Sequence, residues 1–320
     1  MFSRQSPRGE GWLSLAVYGD RVDVAQVAYR PGARPSVEIC ESYAKKGSDV
    51  ETLKSVARAV KPARFRCSAL LDTHDYQMQL VEAPSVPMTE LKSAVRWKLK
   101  DLLDYPVDAA TIDVADVPAD KSGSGRAHYV YAVSARNDRI AAQMRLFQEA
   151  KFPLQAIDVP EMAQRNIAAL FEEPARGLAL LAFHDRGGLL TFTAGGELYM
   201  ARTTDITAAQ LTEARGDNTD PILERLVLEL QRSFDHFDRQ FSYVTLSRLL
   251  LAPLPIDIGL ERHLADSLDV PVQQLDLTQV MEFPGAPELR EPSRQGYRLH
   301  ILGASLRQGG SAVERHGAAA

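Results

Sequence analysis

The chain has 320 residues, 45% of them hydrophobic, a length that suggests two domains at about 150 residues each and apolar content enough for two cores. Its 37 basic and 42 acidic residues leave a net charge of −5, which excludes the broad cationic surface that nonspecific nucleic-acid binding requires. With only Cys40 and Cys67, no CxxC and no run of about 18 apolar residues, the composition argues against a disulfide framework, a cysteine-rich zinc site, export and membrane spanning, and a cytoplasmic protein is expected.

Residues 11–18 read as a strand, Gly19-Asp20 as a tight hairpin turn, and Val22, Val24 and Ala28 as the apolar positions of a second strand. Residues 36–43 complete a three-strand meander. A helix over 51–60 and an apolar strand over 64–71 give the order βββαβ. The second half repeats that order, with strands over 177–183 and 189–193, a Gly195-Gly196 turn and a strand over 197–201. A long helix follows, its Leu223, Leu226, Val227, Leu230, Phe234, Phe237 and Phe241 spaced by three or four so that one face is apolar. Asp220 is the expected N-cap and Pro221 suits the first turn. Strands over 246–251 and 270–275 flank a helix over 259–268. The expected fold class is α/β, a duplicated ribonuclease-H-like unit whose two mixed sheets face a cleft.

Residues 84–158 do not repeat and read as an inserted α/β subdomain. It carries a helix over 88–103, a strand over 108–117, a KSGSGR turn, a strand over 128–135 and a helix over 137–150. The division expected is thus 1–83 for the first lobe, 84–158 for the insertion, 159–175 for a return helix of the first lobe, 176–308 for the second lobe and 309–320 for a frayed tail.

Six stretches carry a family resemblance. SAVRWKLKDLLDYPVD, VYAVSARNDRI and FQEAKFPLQAIDVPEMAQRNI, continued by LVLELQRSFDHF, GLERHLADSLDVPVQQLD and YRLHILGASLR, resemble the PilM family of type IV pilus assembly proteins, including its MSHA-type (MshI) branch, over nearly the whole chain. The resemblance implies the actin-like fold of the cell-division protein FtsA. It also implies a cytoplasmic platform at the inner membrane that docks the short N-terminal tail of a bitopic partner of the PilN or MshJ type, and that connects to pilus motor ATPases. The resemblance further implies that the inserted subdomain helps form the docking groove. The cytoplasmic part of a GspL-like type II secretion protein uses the same fold and is the other system considered.

Actin-like ATPases present backbone N–H groups to phosphates from two Gly-rich hairpin turns, each with an Asp that serves the metal. Laid on this chain, the resemblance puts Ala16 and Ala182 at the two carboxylate positions and Tyr18 and His184 at the glycines. Gly19 and Asp20 remain in the first turn and Gly187 and Gly188 in the second, vestiges of a cofactor-binding pair of loops. Pro253-Leu254-Pro255 stands where the family has a Gly-rich adenosine loop, and proline removes a donor and stiffens the backbone. Hydrolysis needs the metal and preorganised donors, so the expectation is a pseudo-ATPase with no cofactor. Weak binding of ATP with magnesium is the alternative cofactor reading, and an ATP-binding switch or slow ATPase of the PilM type the alternative function.

For partner binding, Arg96, Trp97 and Lys100 on the inserted helix, with the Tyr105-Pro106 turn, flank the expected groove. The alternative is that this helix only packs on its own sheet, and Leu91, Val95, Leu99 and Leu102 follow core spacing. His74-Asp75, His184-Asp185 and His236 with Asp235 and Asp238 are scattered and lack HExxH spacing, so no metal site is expected. The cluster Lys92, Arg96, Lys98 and Lys100 is too small to argue direct membrane binding.

Overall fold

A computed structural model describes residues 11–29, 32–119, 128–214 and 221–308. The first apolar alternation forms β1 (Trp12–Val17) and β2 (Arg21–Ala28). They pair antiparallel with Val17 opposite Val22, and the Tyr18 N–H donates to the Arg21 carbonyl at 2.8 Å, closing the turn on Gly19-Asp20. β3 (Ser36–Ala44) continues the meander. α1 (Asp49–Val60) starts at a Ser48 and Glu51 capping box and ends at Lys61 in the left-handed conformation. β4 (Arg66–Leu70) then returns parallel to β1.

The middle of the chain forms β5 (Tyr76–Glu82), α2 (Met88–Leu99), β6 (Ala110–Val117), β7 (Tyr129–Arg136), α3 (Asn137–Glu149), β8 (Leu154–Asp158) and α4 (Pro160–Ala168). Strand pairing draws lines other than those at 84 and 158. β5 joins the insertion, whose sheet has the order β5-β7-β6, while β8 completes the first sheet as β3-β2-β1-β4-β8. α3 belongs with the first lobe too, since its Phe147 packs with Leu53 and Val56 of α1 beneath Leu13 and Leu15. The reason is burial: Phe147 is fully covered only on the outer face of that sheet.

The second half gives β9 (Gly177–His184), β10 (Gly187–Ala194), β11 (Glu197–Thr204), α5 (Ala208–Ala214), α6 (Pro221–Gln240), β12 (Leu246–Leu251), α7 (Leu260–Ser267), β13 (Val272–Gln274) and α8 (Leu299–Ser305). The sheet order β11-β10-β9-β12-β13 repeats that of the first lobe. On α6 the apolar stripe seats Leu223, Leu226, Leu230 and Phe237, and Phe237 stacks on Phe192 of β10 with ring centroids 4.7 Å apart. Pro221 opens the helix as expected. The expected Asp220 cap, the KSGSGR turn and the tail 309–320 lie outside the described residues.

The two halves exchange their closing elements, a departure from the expected division at 159–175 and 176–308. α4 packs on the second sheet, where the Gln164 amide Nε2 donates to the carbonyls of Leu180 (2.7 Å) and Leu189 (3.1 Å) and to Thr191 Oγ1. α8 crosses back to the first sheet, and Ser305 Oγ donates to the Ala25 carbonyl at 2.9 Å. Just before it, residues 282–285 run along the edge of β3: the Val37 N–H donates to Glu282, and the Gly285 N–H to Val37. The sequence division separated these elements because each half's pattern is satisfied by adjacent residues. The inner faces of both sheets are apolar, however, and one helix pair between them covers both. One core therefore joins Val27, Val37 and Leu70 to Ile167, Leu180, Leu250, Leu299 and Leu302. Burying each such leucine contributes about 1.5–3 kcal/mol. Among the described residues no helix is long and apolar enough to cross a membrane.

Candidate functional site

The two hairpin turns meet at one end of the lobes. In the first, Gly19-Asp20 form the turn as expected, and a Cβ added at Gly19 would meet nothing within 4 Å. In the second, His184 pairs with Gly187, so the turn is Asp185-Arg186. Gly187-Gly188, expected to make that turn, stand instead in the β10 ladder. Close packing explains this: a Cβ would lie 2.3 Å from the Thr204 carbonyl at Gly187, and 2.7 Å from the Phe183 ring at Gly188. Both glycines serve the approach of neighbouring strands.

Ala16 and Ala182 are buried in the shared core. Across the ladder from Ala16 stands Asp23, a buried carboxylate that the sequence reading passed over. Its oxygens are occupied, by Ser42 Oγ at 2.5 Å, Arg298 at 2.8 Å and Arg21 at 3.4 Å. The signal for it was a lone Asp between the buried valines of β2.

Side chains of both turns cross the gap. Arg21 Nη2 lies 3.4 Å from Asp185 Oδ2, and Arg186 Nη1 lies 2.5 Å from Asp72 Oδ1. The Arg21 guanidinium sits over the Tyr18 ring, 4.6 Å from its centroid. Burial opposes the Arg21 charge, but the carboxylates of Asp23, Asp20 and Asp185 outweigh it and its pKa is raised. Burial first, and Asp23 second, push the Tyr18 hydroxyl up to about 12. Behind them His184 and His300 contact edge to face at 5.3 Å, and His300 Nε2 bonds Gln164 Oε1 at 2.9 Å. Since that amide's nitrogen is committed to donating, His300 is the donor and carries its proton on Nε2. Desolvation lowers His184 and, helped by that neighbour, takes His300 down to about 3; both rings are neutral at pH 7. The cleft left between these groups holds about 80 Å³, against the roughly 300 Å³ at which pockets for drug-sized ligands begin. Behind the prolines, the turn at Gly296 packs on the Pro253 carbonyl, which a Cβ there would approach to 2.1 Å. Arg21, Asp72, Arg186, Tyr297 and His300 were all missed from sequence. One signal was present, the Asp-Arg dipeptide repeated at both hairpins, Asp20-Arg21 and Asp185-Arg186.

The candidate partner residues lie apart from this cleft, on the insertion. Leu91, Val95 and Leu99 are buried against Ile112 and Val130. Leu102, expected to continue that stripe, is 52% exposed, because α2 ends at Leu99 and the chain changes phase; Leu103 packs inward in its place. Trp97 is 73% exposed, and the basic residue Lys100 is exposed beside it. Arg96 turns inward, donating to the carbonyls of Val107 (2.6 Å) and Ala110 (3.2 Å). Tyr105 is partly buried against the same core, with Arg136 over its ring. The arrangement brings Trp97, Lys100 and Leu102 to one exposed end of the helix, while Arg96 and Tyr105 support the chain beneath.

Duplicated five-stranded sheets, a crossed helix pair between them and a cleft at the two hairpin turns define an actin-like fold. No family model and no curated protein matches the sequence. Among solved structures, a chain of the PilM-PilN type IV pilus biogenesis complex is similar over 94% of this chain and 97% of its own length, with a TM-score of 0.70 and 20% identity. The cytoplasmic domain of EpsL, an inner membrane component of the Vibrio cholerae type II secretion system, is similar over 94% and 97% of the two chains, at a TM-score of 0.50 and 13% identity. These likenesses establish the fold.

Proposed function

We propose that the chain is a non-catalytic scaffold of type IV pilus assembly, of the MSHA type, that docks the cytoplasmic N-terminal peptide of a bitopic inner-membrane partner resembling PilN or MshJ. The observation that carries this reading is the end-to-end correspondence with a chain of the PilM-PilN complex. The scaffold works in the cytoplasm, peripheral to the inner membrane through its partner, and hands contacts on to pilus motor ATPases. Trp97 and Leu102 supply the apolar anchors that peptide recognition uses alongside main-chain hydrogen bonds.

A pseudo-ATPase role accompanies it. Ala16 and Ala182 offer no metal ligand, Asp23 is held by three donors, and Tyr18 and His184 stand where a backbone N–H would approach phosphate. Phosphoryl transfer relies on metal and positioned donors, so ATP turnover is absent. Two experiments test the reading. Titration of fluorescent ATP with Mg²⁺ should show no saturable micromolar binding and no phosphate release; either would overturn the pseudo-ATPase role. Co-purification with the membrane partner should be lost in Trp97→Ala/Leu102→Asp, a double variant at exposed positions whose circular dichroism stays native. Undiminished capture by this folded variant would refute docking at that face.

A further inference from the structure

The two hairpin turns carry a reciprocal arrangement. The first lobe supplies Arg21 and Asp72, the second Asp185 and Arg186, and the pairs run crosswise, Arg21 to Asp185 and Arg186 to Asp72. Neither lobe provides both ends of either bond. We propose that these pairs form an ionic clasp that holds the lobes closed across the cleft, the protein's own side chains replacing an anionic ligand as the bond between the turns. The clasp stands on this geometry alone, independently of the docking reading.

Three features support a clasp over incidental surface pairing. A solitary exposed ion pair shifts an equilibrium by a few-fold at most, but here two pairs span one gap and share a two-residue turn. Asp72 is 16% exposed and Arg21 28%, against 45% for Arg186 and 57% for Asp185, so one end of each pair is screened less by solvent than most surface charges. The C-terminal segment reinforces the same point, since Tyr297 lines the same cleft as Asp185 and the adjacent Arg298 pairs with Asp23. The second lobe's turn is thereby held from the first lobe's hairpin and from the loop after β4, while the segment leading into α8 is tied to that same hairpin. Together the two pairs should favour the closed state about tenfold, which corresponds to ~1.4 kcal/mol.

The joint across which such closure acts is the crossing of α4 and α8, where the helices approach closely enough that a Cβ at Gly303 would lie 2.1 Å from the Ala163 carbonyl. A tight crossing of this kind permits small rotations of one lobe on the other while the common core stays buried. The clasp lies at the cleft end of the lobes, and because Asp72 stands just before β5 of the inserted sheet, the neutral variant is placed on the second lobe's turn, away from that strand.

The test is a pulsed-EPR distance measurement on the full chain, spin-labelled at His74→Cys in the first lobe and Thr203→Cys in the second, both exposed positions; native Cys40 and Cys67 are buried. In low salt the otherwise unmodified protein should give one narrow distribution. Neutralising the exposed turn with Asp185→Asn/Arg186→Gln should add a longer-distance population, raising the open fraction about tenfold, and 1 M NaCl should move the unmodified protein the same way. Arg186→Glu should open the cleft, and adding Asp72→Lys should restore closure by reversing that pair. Thermal melts confirm that each variant folds. Distributions that superimpose for the neutral variant and the unmodified protein, or an Asp72→Lys/Arg186→Glu pair as open as Arg186→Glu alone, would overturn the clasp. Partner co-purification run on the neutral variant reads the docking function separately.

Discussion

Gly303→Ala is the most demanding test of the crossed helices. A methyl group there would meet the Ala163 carbonyl oxygen at 2.1 Å, its carbon at 2.7 Å and Ile167 Cγ1 at 3.1 Å. Backbone cannot swing aside as a side-chain tip does, so α4 and α8 must separate by about 1 Å in an interior packed as densely as a crystal. Overpacking of this kind costs about 1–3 kcal/mol, and a clash with main chain on a helix bonded through Asn166 to the Gly303 carbonyl belongs at the upper end. Alanine's better helix propensity returns about 1 kcal/mol, leaving a net loss of about 2 kcal/mol. With an unfolding entropy of about 2.1 cal/mol/K per residue, or about 0.7 kcal/mol/K for this length, the melting temperature should fall by about 3 °C. Differential scanning calorimetry reads this directly, with Gly19→Ala as the control at an open position, expected within about 0.5 kcal/mol. An unchanged or raised Tm for Gly303→Ala would show that the crossing is not close-packed.

Other expectations follow from the insertion and its support. Leu99→Ala should cost about 3 kcal/mol in urea unfolding by opening a cavity, whereas Leu102→Ala, three residues on, should change stability by less than about 0.5 kcal/mol. Arg96→Met should remove two charge-assisted bonds to Val107 and Ala110 at about 2 kcal/mol, with faster hydrogen exchange over residues 107–112. Burial raises the pKa of Glu161 even though the Tyr76 hydroxyl donates to it at 2.6 Å. The folded state therefore holds the Glu161 proton more tightly than the unfolded chain does. Its contribution is full below the ordinary carboxylate pKa and is lost as pH rises through the folded value. Glu161→Gln, which cannot titrate, should raise Tm at pH 7–8 by an amount that shrinks toward pH 4.

Local patterns proved legible where neighbours in sequence are neighbours in space. The long helix announced itself through leucines and phenylalanines at threes and fours, and both meanders through alternation closed by short turns. What escaped depended on distant partners. β5 reads Tyr-Gln-Met-Gln-Leu-Val-Glu, a good strand pattern, but nothing local says that it pairs with residues 129–135 and not with the strand just before it. The same holds for β8, whose partner is β4. Leu102 shows another limit: helical spacing continues on paper past Leu99, while in the fold the Leu102 carbonyl already accepts from Gln79 and the side chain swings outward. In the cleft, the glycines and missing carboxylates are the positions that the family resemblance marks. The arginines beside them carry the observed contacts, and a charged residue next to a turn gives no sign in one dimension of the opposite charge it will face.

The exchanged closing elements bear on how the chain acquires its shape during synthesis. When the ribosome has made the first lobe, the inner surface formed by Val27, Val37 and Leu70 still waits for Leu299 and Leu302, residues that the ribosome reaches only after the whole second sheet. The first lobe is thus born with a sticky face that waits for α8. Chaperone demand should peak while the second lobe is being translated, and premature release there would leave an aggregation-prone fragment.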